Sequence, residues 1–264
     1  MDIKANGVTL HYEVTGAGPD LVLVHGAGGN SDYWARQVPV FSGSYRVITV
    51  DLRGHGQSEA PPLGYTIPDF MEDLRQALPL MGVRQAALVG FSMGGRIVSH
   101  LASVEPSLVR ALVLTNSTVG PLETPPGARG RTEALLEIIR RGDIGQIAEN
   151  STRMAISPGA RERDPAAWDL YYRMCLRNPP AGMLGLMGAS LTSRLPDTDL
   201  SAINCPVLMI QGTQDIVVPA EAREKSHKLL KQARLVVLPT GHASALEAPE
   251  AWNKAVLEFL KSVP

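Results

Sequence analysis

A serine hydroxyl is a weak nucleophile until it is lifted clear of its backbone and given a base to take its proton. Gly90-Phe91-Ser92-Met93-Gly94 suits the first requirement, because it lies between an apolar run, AALVGF, and a helix-spaced stretch, MGGRIVSHLASV. A tight strand-to-helix turn there would raise Oγ above a sheet. Glycines two residues before and two after would let neighbouring backbones pass. The first N–H groups of the following helix would point to where negative charge develops. The five residues alone also fit a plain glycine-rich turn; their strand–turn–helix setting favours a nucleophile at Ser92.

The base must be a histidine, and six are available. His11 falls in an opening strand, His100 within the helix after Ser92, and His227 in a charged helix. His242 stands in Pro239-Thr240-Gly241-His242-Ala243, a loop between the last apolar strand and the final helix. Parallel sheets place their sites at such C-terminal strand ends. Asp215, in Gln211-Gly212-Thr213-Gln214-Asp215, follows the strand PVLMI and reaches the same edge. A carboxylate there would hold the imidazole tautomer and stabilise the imidazolium as it forms. Its alternative is a turn residue before Val217-Val218-Pro219. The rival position for an acid, the loop after VRALVLT, reads Thr115-Asn116-Ser117 and carries no carboxylate. The expected set is Ser92 as nucleophile, His242 as base and Asp215 as orienting acid.

Two glycine-rich stretches accompany these residues. His25-Gly26-Ala27-Gly28-Gly29 directly follows the strand LVLVHG. Its glycines allow a turn that leaves an N–H free, so in a fold of this kind Ala27 and Met93 would be the backbone donors of an oxyanion hole. A phosphate loop is disfavoured, because neither GxGxxG nor GKS spacing is present. His25 reads as a structural hydrogen-bonding residue at the base of that loop. Asp51-Leu52-Arg53-Gly54-His55-Gly56-Gln57-Ser58 offers an Asp and a His, but reads as a loop cross-linked by its own side chains and shaping the entrance, not as a second acid–base pair.

Strands must position these loops. Residues 8–14 alternate apolar and polar, while 21–26, 45–51, 86–91 and 109–115 are short runs of Val, Leu and Ile suited to a parallel sheet buried on both faces. Helical spacing at 66–80 and 93–104 alternates with them, and the pattern returns with a strand at 206–212, a helix near 220–231, a strand at 233–239 and a helix near 249–262. From about 119 to 195 the strand-like runs stop. A passage rich in Pro and Gly, VGPLETPPGARG, leads into helical segments. The expectation is one domain over 1–264, with a helical cap inserted at about 119–195. The cap carries Met154, Met174, Met183 and Met187, either packed between cap and body or forming an adaptable apolar wall for a ligand.

Bulk properties exclude several classes. Lys plus Arg number 25 and Asp plus Glu 26, leaving no electrostatic case for nucleic acid or an anionic membrane. No apolar run approaches the roughly 18 residues of a membrane span. The opening MDIKANGVTLHYEV lacks a basic stretch leading into a long apolar run, so a cytoplasmic address is the default expectation. Cys175 and Cys205 sit in apolar stretches without metal-ligand spacing and read as reduced thiols. The sequence is silent on oligomeric state.

Taken in order, HGAGG, DLRGHGQS, GFSMGG, GTQD and GHASALEAPE resemble the α/β-hydrolase superfamily over the whole chain. Within it the chain resembles small carboxylesterases, 3-oxoadipate enol-lactonase-like enzymes and cofactor-free haloperoxidase-like esterases. The resemblance implies an α/β-hydrolase fold: a mostly parallel eight-stranded sheet flanked by helices, with a helical cap. The order Ser92, Asp215, His242 matches it. It also implies cleavage of a small-molecule ester or lactone with no metal or organic cofactor. Haloalkane dehalogenases and soluble epoxide hydrolases place Asp where this chain has Ser92. Carbon–carbon bond hydrolysis, perhydrolysis and a receptor built on the same scaffold remain open alternatives. Arg153, Arg173 and Arg177 of the cap could hold a substrate carboxylate, or could equally form a solvated helix face.

Overall fold

The computed structural model describes residues 1–120, 128–192, 197–230 and 232–263. Eight strands form one sheet: β1 (Asp2–Ala5), β2 (Val8–Thr15), β3 (Asp20–Val24), β4 (Arg46–Val50), β5 (Ala86–Phe91), β6 (Val109–Thr115), β7 (Val207–Gly212) and β8 (Arg234–Leu238). Their order is β1-β2-β4-β3-β5-β6-β7-β8. The first hairpin turns on Asn6 and Gly7, both at positive φ (47° and 78°), the pairing a two-residue turn between twisted strands requires. That Asn-Gly signal separates β1 from β2, a division the opening alternation alone does not reveal. β1 and β2 pair antiparallel, as do β2 and β4; the remaining neighbours are parallel. Between β3 and β5 the strand order reverses direction, which opens a crevice at their C-terminal ends.

The helices are α1 (Val38–Phe41), α2 (Ile67–Leu80), α3 (Met93–Val104), α4 (Ala128–Arg140), α5 (Ile144–Ala155), α6 (Ala160–Arg163), α7 (Pro165–Leu176), α8 (Pro180–Thr192), α9 (Ala220–Leu229), α10 (Ser244–Glu247) and α11 (Pro249–Ser262). Alternate residues of the central strands feed two separate cores. Val22, Val24, Leu88 and Leu112 pack with Phe70 and Leu74 of α2 and Ile97 and Leu101 of α3. Leu21, Leu23, Val89 and Val113 pack on the other face with Trp34, Phe41 and, from α11, Trp252 and Val256. Every residue of β5 is buried, as the uninterrupted run AALVGF requires of a strand covered on both faces. Helix α2 starts with a reciprocal cap between Thr66 and Asp69, so its first turn is fixed locally.

Among the described residues, five α-helices, α4 to α8, lie between β6 and β7. The edges expected for the inserted segment, near 119 and 195, lie beside or within 121–127 and 193–196, outside the described residues, as does much of VGPLETPPGARG. Ion pairs tie this helical segment to the sheet layer, Arg36 to Asp164 (2.6 Å) and Arg177 to Asp32 (2.5 Å). Its methionines divide. Met174 is buried with Trp168 and Tyr171, Met183 is buried with Ile139 and Ile147, and Met187 packs at the margin of both clusters near it. Met154 is 50% exposed and belongs to neither a core nor an apolar wall, because it lies on the outer side of α5. Arg153 pairs with Glu149 one turn away, Arg177 with Asp32, and Arg173 is exposed, which fits a solvated face better than a carboxylate site. Among the described residues no helix is long and apolar enough to cross a membrane.

One buried ion pair braces the layer beneath the site. Arg53 donates to both carboxylate oxygens of Asp73, and the two side chains are almost wholly shielded from water. Removing one member strands the other charge in the interior, whereas replacing both with apolar groups does not. Asp73→Ala is expected to lower the unfolding free energy by about 3–5 kcal/mol, and a paired Arg53→Met, Asp73→Leu variant by far less. Urea denaturation of the three proteins checks this; equal losses for single and double variants would refute it.

Candidate active site

The turn after β5 is sterically committed. Ser92 has φ 53° and ψ −115°, a region that non-glycine residues avoid at a cost of about 1–3 kcal/mol. An added Cβ at Gly90 would come 2.5 Å from the backbone of Gly94 and Gly95, and one at Gly94 would come 2.5 Å from Val24 O. Only glycine lets β3, β5 and α3 approach this closely. Ser92 N–H donates to Thr115 O (3.0 Å) and Ser117 Oγ–H to Ser92 O (2.7 Å), so the end of β6 and the loop just after it pin both sides of the strained residue.

The structure brings together the three side chains that the sequence singles out from three strand ends. His242 Nε2 lies 2.9 Å from Ser92 Oγ, and His242 Nδ1 lies 2.8 Å from Asp215 Oδ2. The carboxylate accepts at Nδ1, so that nitrogen carries the proton and Nε2 is left to accept from the serine hydroxyl. His242 and Asp215 are buried and Ser92 is half-buried. Phe91 lies beside the imidazole at 5.0 Å between ring centroids and is itself stacked on Tyr33 at 4.1 Å. The imidazole of His242 is thus braced by an aromatic pair as well as by Asp215.

Asp215 has all its near acceptor sites engaged. Oδ1 accepts from the N–H groups of Val217 and Val218 (2.8 Å each), and Oδ2 accepts from His242 and from Asn116 Nδ2 (3.0 Å). Burial alone would raise the carboxyl pKa. The hydrogen bond and charge of His242, with the Val218 and Asn116 donors, outweigh it and hold the group below the usual carboxylate range. Asp215 is therefore ionised while buried. Asn116 lies just after the end of β6, the rival position for an acid. It sits at φ 47° and also donates to Gly241 O (3.2 Å), linking the acid loop to the histidine loop. Motif reading passes over it because a carboxamide there cannot act as the acid.

The loop after β3 passes directly beside the serine: a Cβ on Gly26 would come 3.0 Å from Ser92 Cβ. Among the described residues the amides of Ala27 and Met93 donate to no protein acceptor; Ala27 is exposed and Met93 half-buried. Both amides lie in the segments that flank the serine, and that of Met93 is the first of α3. His25 is structural, with Nδ1–H donating to Gly26 O (2.7 Å) and Nε2 accepting from Leu52 N–H (3.0 Å).

The cross-links of the Asp51–Ser58 stretch extend further than its own side chains. Asp51 Oδ1 accepts from Ser31 N–H (2.7 Å), Asp51 Oδ2 from Gln57 N–H (2.8 Å), and His55 Nε2 from Gly28 N–H (3.2 Å). His55 must be neutral to accept. Burial, and then the neighbouring His25, push its pKa down to about 3. Glu247, in the GHASALEAPE segment, accepts from Gly241 N–H (2.9 Å) and from the backbone and hydroxyl of Ser157, joining the histidine loop to the helical segment above it. A lone Glu five residues after a His carries too little signal to be found by spacing.

A buried acid, a neutral imidazole and a hydroxyl in hydrogen-bonding sequence can move one proton from oxygen to nitrogen and back. Free amides at a helix start can receive the charge left behind. Comparison with known proteins agrees with this chemistry. A methyl ester esterase acting on pimeloyl-acyl carrier protein, from Nitrosomonas europaea, is 31% identical over 92% of this chain and 96% of its own length. The 3-oxoadipate enol-lactonase 2 of Acinetobacter baylyi is 28% identical over 98% of this chain and 96% of its own. A thermophilic esterase from Thermogutta terrifontis superposes with a TM-score of 0.90 at 29% identity, covering 100% of this chain and 99% of that one. The model of the α/β hydrolase fold matches residues 19–249, and the chain belongs to that family.

Proposed function

We propose that the protein is a serine hydrolase that cleaves carboxylic esters or lactones of small apolar molecules through an acyl-enzyme. The observation that carries this is the continuous hydrogen-bond path Ser92–His242–Asp215, at 2.9 and 2.8 Å, opening onto two unengaged backbone amides. Ser92 Oγ adds to the substrate carbonyl carbon as its proton passes to His242 Nε2. Asp215 stabilises the imidazolium, and the N–H groups of Ala27 and Met93 hold the oxyanion, each donor contributing about 3 kcal/mol. Collapse breaks the ester C–O bond, and the proton on Nε2 goes to the leaving oxygen. His242 then takes a proton from water, whose oxygen attacks the acyl carbon and frees Ser92 and the acid. In a lactone the leaving oxygen stays tethered to the acyl group.

The relatives support ester and lactone carbonyls as the substrate class, since named esterases and an enol-lactonase share the chain's full length. The apolar side is supported by Ile139, Ile147 and Met183, a cluster whose Met183 Cε would lie 3.5 Å from a Cβ on Gly28. The helical segment would act as the cap of a single domain. Its unpaired thiols, with Cys175 buried, suit a reducing compartment, so the address proposed is the cytoplasm.

Hydrolysis of p-nitrophenyl esters from acetate to decanoate tests the reading. Wild type should turn over, and Ser92→Ala should fall about a millionfold. A folded wild type inert across the series would sink the simple-ester reading and turn attention to lactones. Asp215→Asn is expected to lose about 10⁴ in kcat, because Nδ1 would no longer hold the required tautomer. Asn116→Ala removes one of the hydrogen bonds to the buried carboxylate, each worth about 1.5–3 kcal/mol, and should lower kcat about tenfold; unchanged kcat would deny Asn116 a share in holding the acid. A base that must accept from Ser92 needs a free Nε2 lone pair, so the rate should fall on the acid side of the pH profile. A chemistry-limited rate flat from about pH 5 to 9 would rule against a histidine base.

A further inference from the structure

We propose that Asn178, between α7 and α8 in the helical segment above the sheet, is a positioning residue for the oxyanion hole. This rests on the reading of Ala27 and Met93 as its donors.

The Ala27 N–H belongs to the same peptide unit as the Gly26 carbonyl. No peptide bond in the described residues is cis, so the two groups point in opposite directions. Gly26 O is tied inward, accepting from Gly29 N–H (3.1 Å) and His25 Nδ1–H (2.7 Å). The Ala27 N–H must then face outward, toward the space beside Ser92. Whether it stays there depends on the corner of the turn, Gly28, which sits at φ 71°, where no side chain anchors it.

Gly28 is held at both of its backbone polar groups. Its N–H donates to His55 Nε2 (3.2 Å), and its C=O accepts from Asn178 Nδ2 (2.6 Å). Asn178 Oδ1 in turn accepts from Gly56 N–H (2.8 Å) and from Asn30 Nδ2 (3.4 Å), while Asn30 also donates to Met174 O (3.1 Å) at the end of α7. Asn178 is buried, and its carboxamide therefore joins three segments: the turn at 26–29, the loop around Gly56, and the chain leaving α7. The requirement is chemically specific. The Gly28 carbonyl needs a donor and the Gly56 N–H needs an acceptor, on one short side chain. A carboxamide supplies both, whereas a carboxylate of the same shape would set an oxygen against the Gly28 carbonyl. Through Asn178 the helical segment reaches the backbone that would receive the transition-state charge, without touching substrate itself.

The test compares wild type, Asn178→Ala and the isosteric Asn178→Asp, with Arg177→Ala as control. Arg177 ties the same helix end to Asp32, and among the described residues no hydrogen bond or ion pair joins it to the 26–29 turn. Measured quantities are kcat and KM for the best p-nitrophenyl ester, the pH profile, the thermal midpoint, and Ki for a trifluoromethyl ketone. Ser92 Oγ adds to that ketone as its proton passes to His242, leaving a stable oxyanion, so its affinity reports the oxyanion hole directly. Both Asn178 variants should lose about 10–100-fold in kcat with KM changed less than about threefold, as expected when a transition-state interaction is weakened. Ki should rise by a similar factor, Asn178→Asp should be the worse of the two, and the acid limb of the pH profile should not move. Arg177→Ala should lower the thermal midpoint while keeping wild-type kcat and Ki. Folded Asn178→Asp with wild-type kcat and Ki overturns the inference, as does a kcat loss with Ki unchanged. Should Asn178→Ala fail to fold, Asn178→Asp alone decides. A wild type that neither hydrolyses esters nor binds the ketone overturns the functional reading and this inference with it, whereas an active wild type with unaffected variants overturns only this inference.

Discussion

The strained backbone at Ser92 is the constraint on which the surrounding structure depends. A residue at φ 53° and ψ −115° relaxes unless its neighbours over-determine it. Here they do. Gly90 and Gly94 permit a backbone approach that any Cβ would block, Thr115 of β6 and Ser117 just after it hydrogen-bond both sides of Ser92, and the buried strand β5 anchors the turn from below. The sheet's two cores make that anchor rigid, because shifting β5 by one residue would exchange the side chains facing each of them.

Above the turn, polar contacts replace apolar packing. The loops after β3, β4, β6, β7 and β8 meet through buried histidines, carboxamides and carboxylates, among which His25, His55, Asn178 and Asp215 use both of their polar ends. His25 and His55 both accept at Nε2 and donate at Nδ1, which fixes them as neutral rings and keeps positive charge out of the neighbourhood of His242. Asp215 is the complementary case, a buried carboxylate kept ionised by four donors. Such networks are costly when half satisfied and rigid when complete. Rigidity is what a site requires if it is to receive developing charge without reorganising.

The helical segment between β6 and β7 shares in this network. Glu247 joins Ser157 to the histidine loop, Ala243 N–H donates to Ala155 O (2.9 Å), and Asn178 reaches the turn after β3. Displacing the segment would therefore disturb the loops bearing His242 and Ala27 together. Its apolar lining, with Met183 Cε 3.5 Å from where a Cβ on Gly28 would lie, is distinct from the polar contacts that hold these loops.

The sequence by itself determined the alternation of strands and helices, because apolar runs and 3.6-residue spacing follow directly from burial on two faces. It also singled out Ser92, Asp215 and His242, since each chemistry-bearing type stands immediately after a strand. What the tertiary structure alone decided is which distant polar residues meet. Asn116 and Asp215 are 99 positions apart, Asn178 and Gly28 150. No local propensity couples positions so separated. Whether a loop asparagine is solvated or buried against a carboxylate is set by how the strand ends converge. The fates of Met154 and Arg177 were decided the same way, since helical periodicity gives a face but not the surface that covers it.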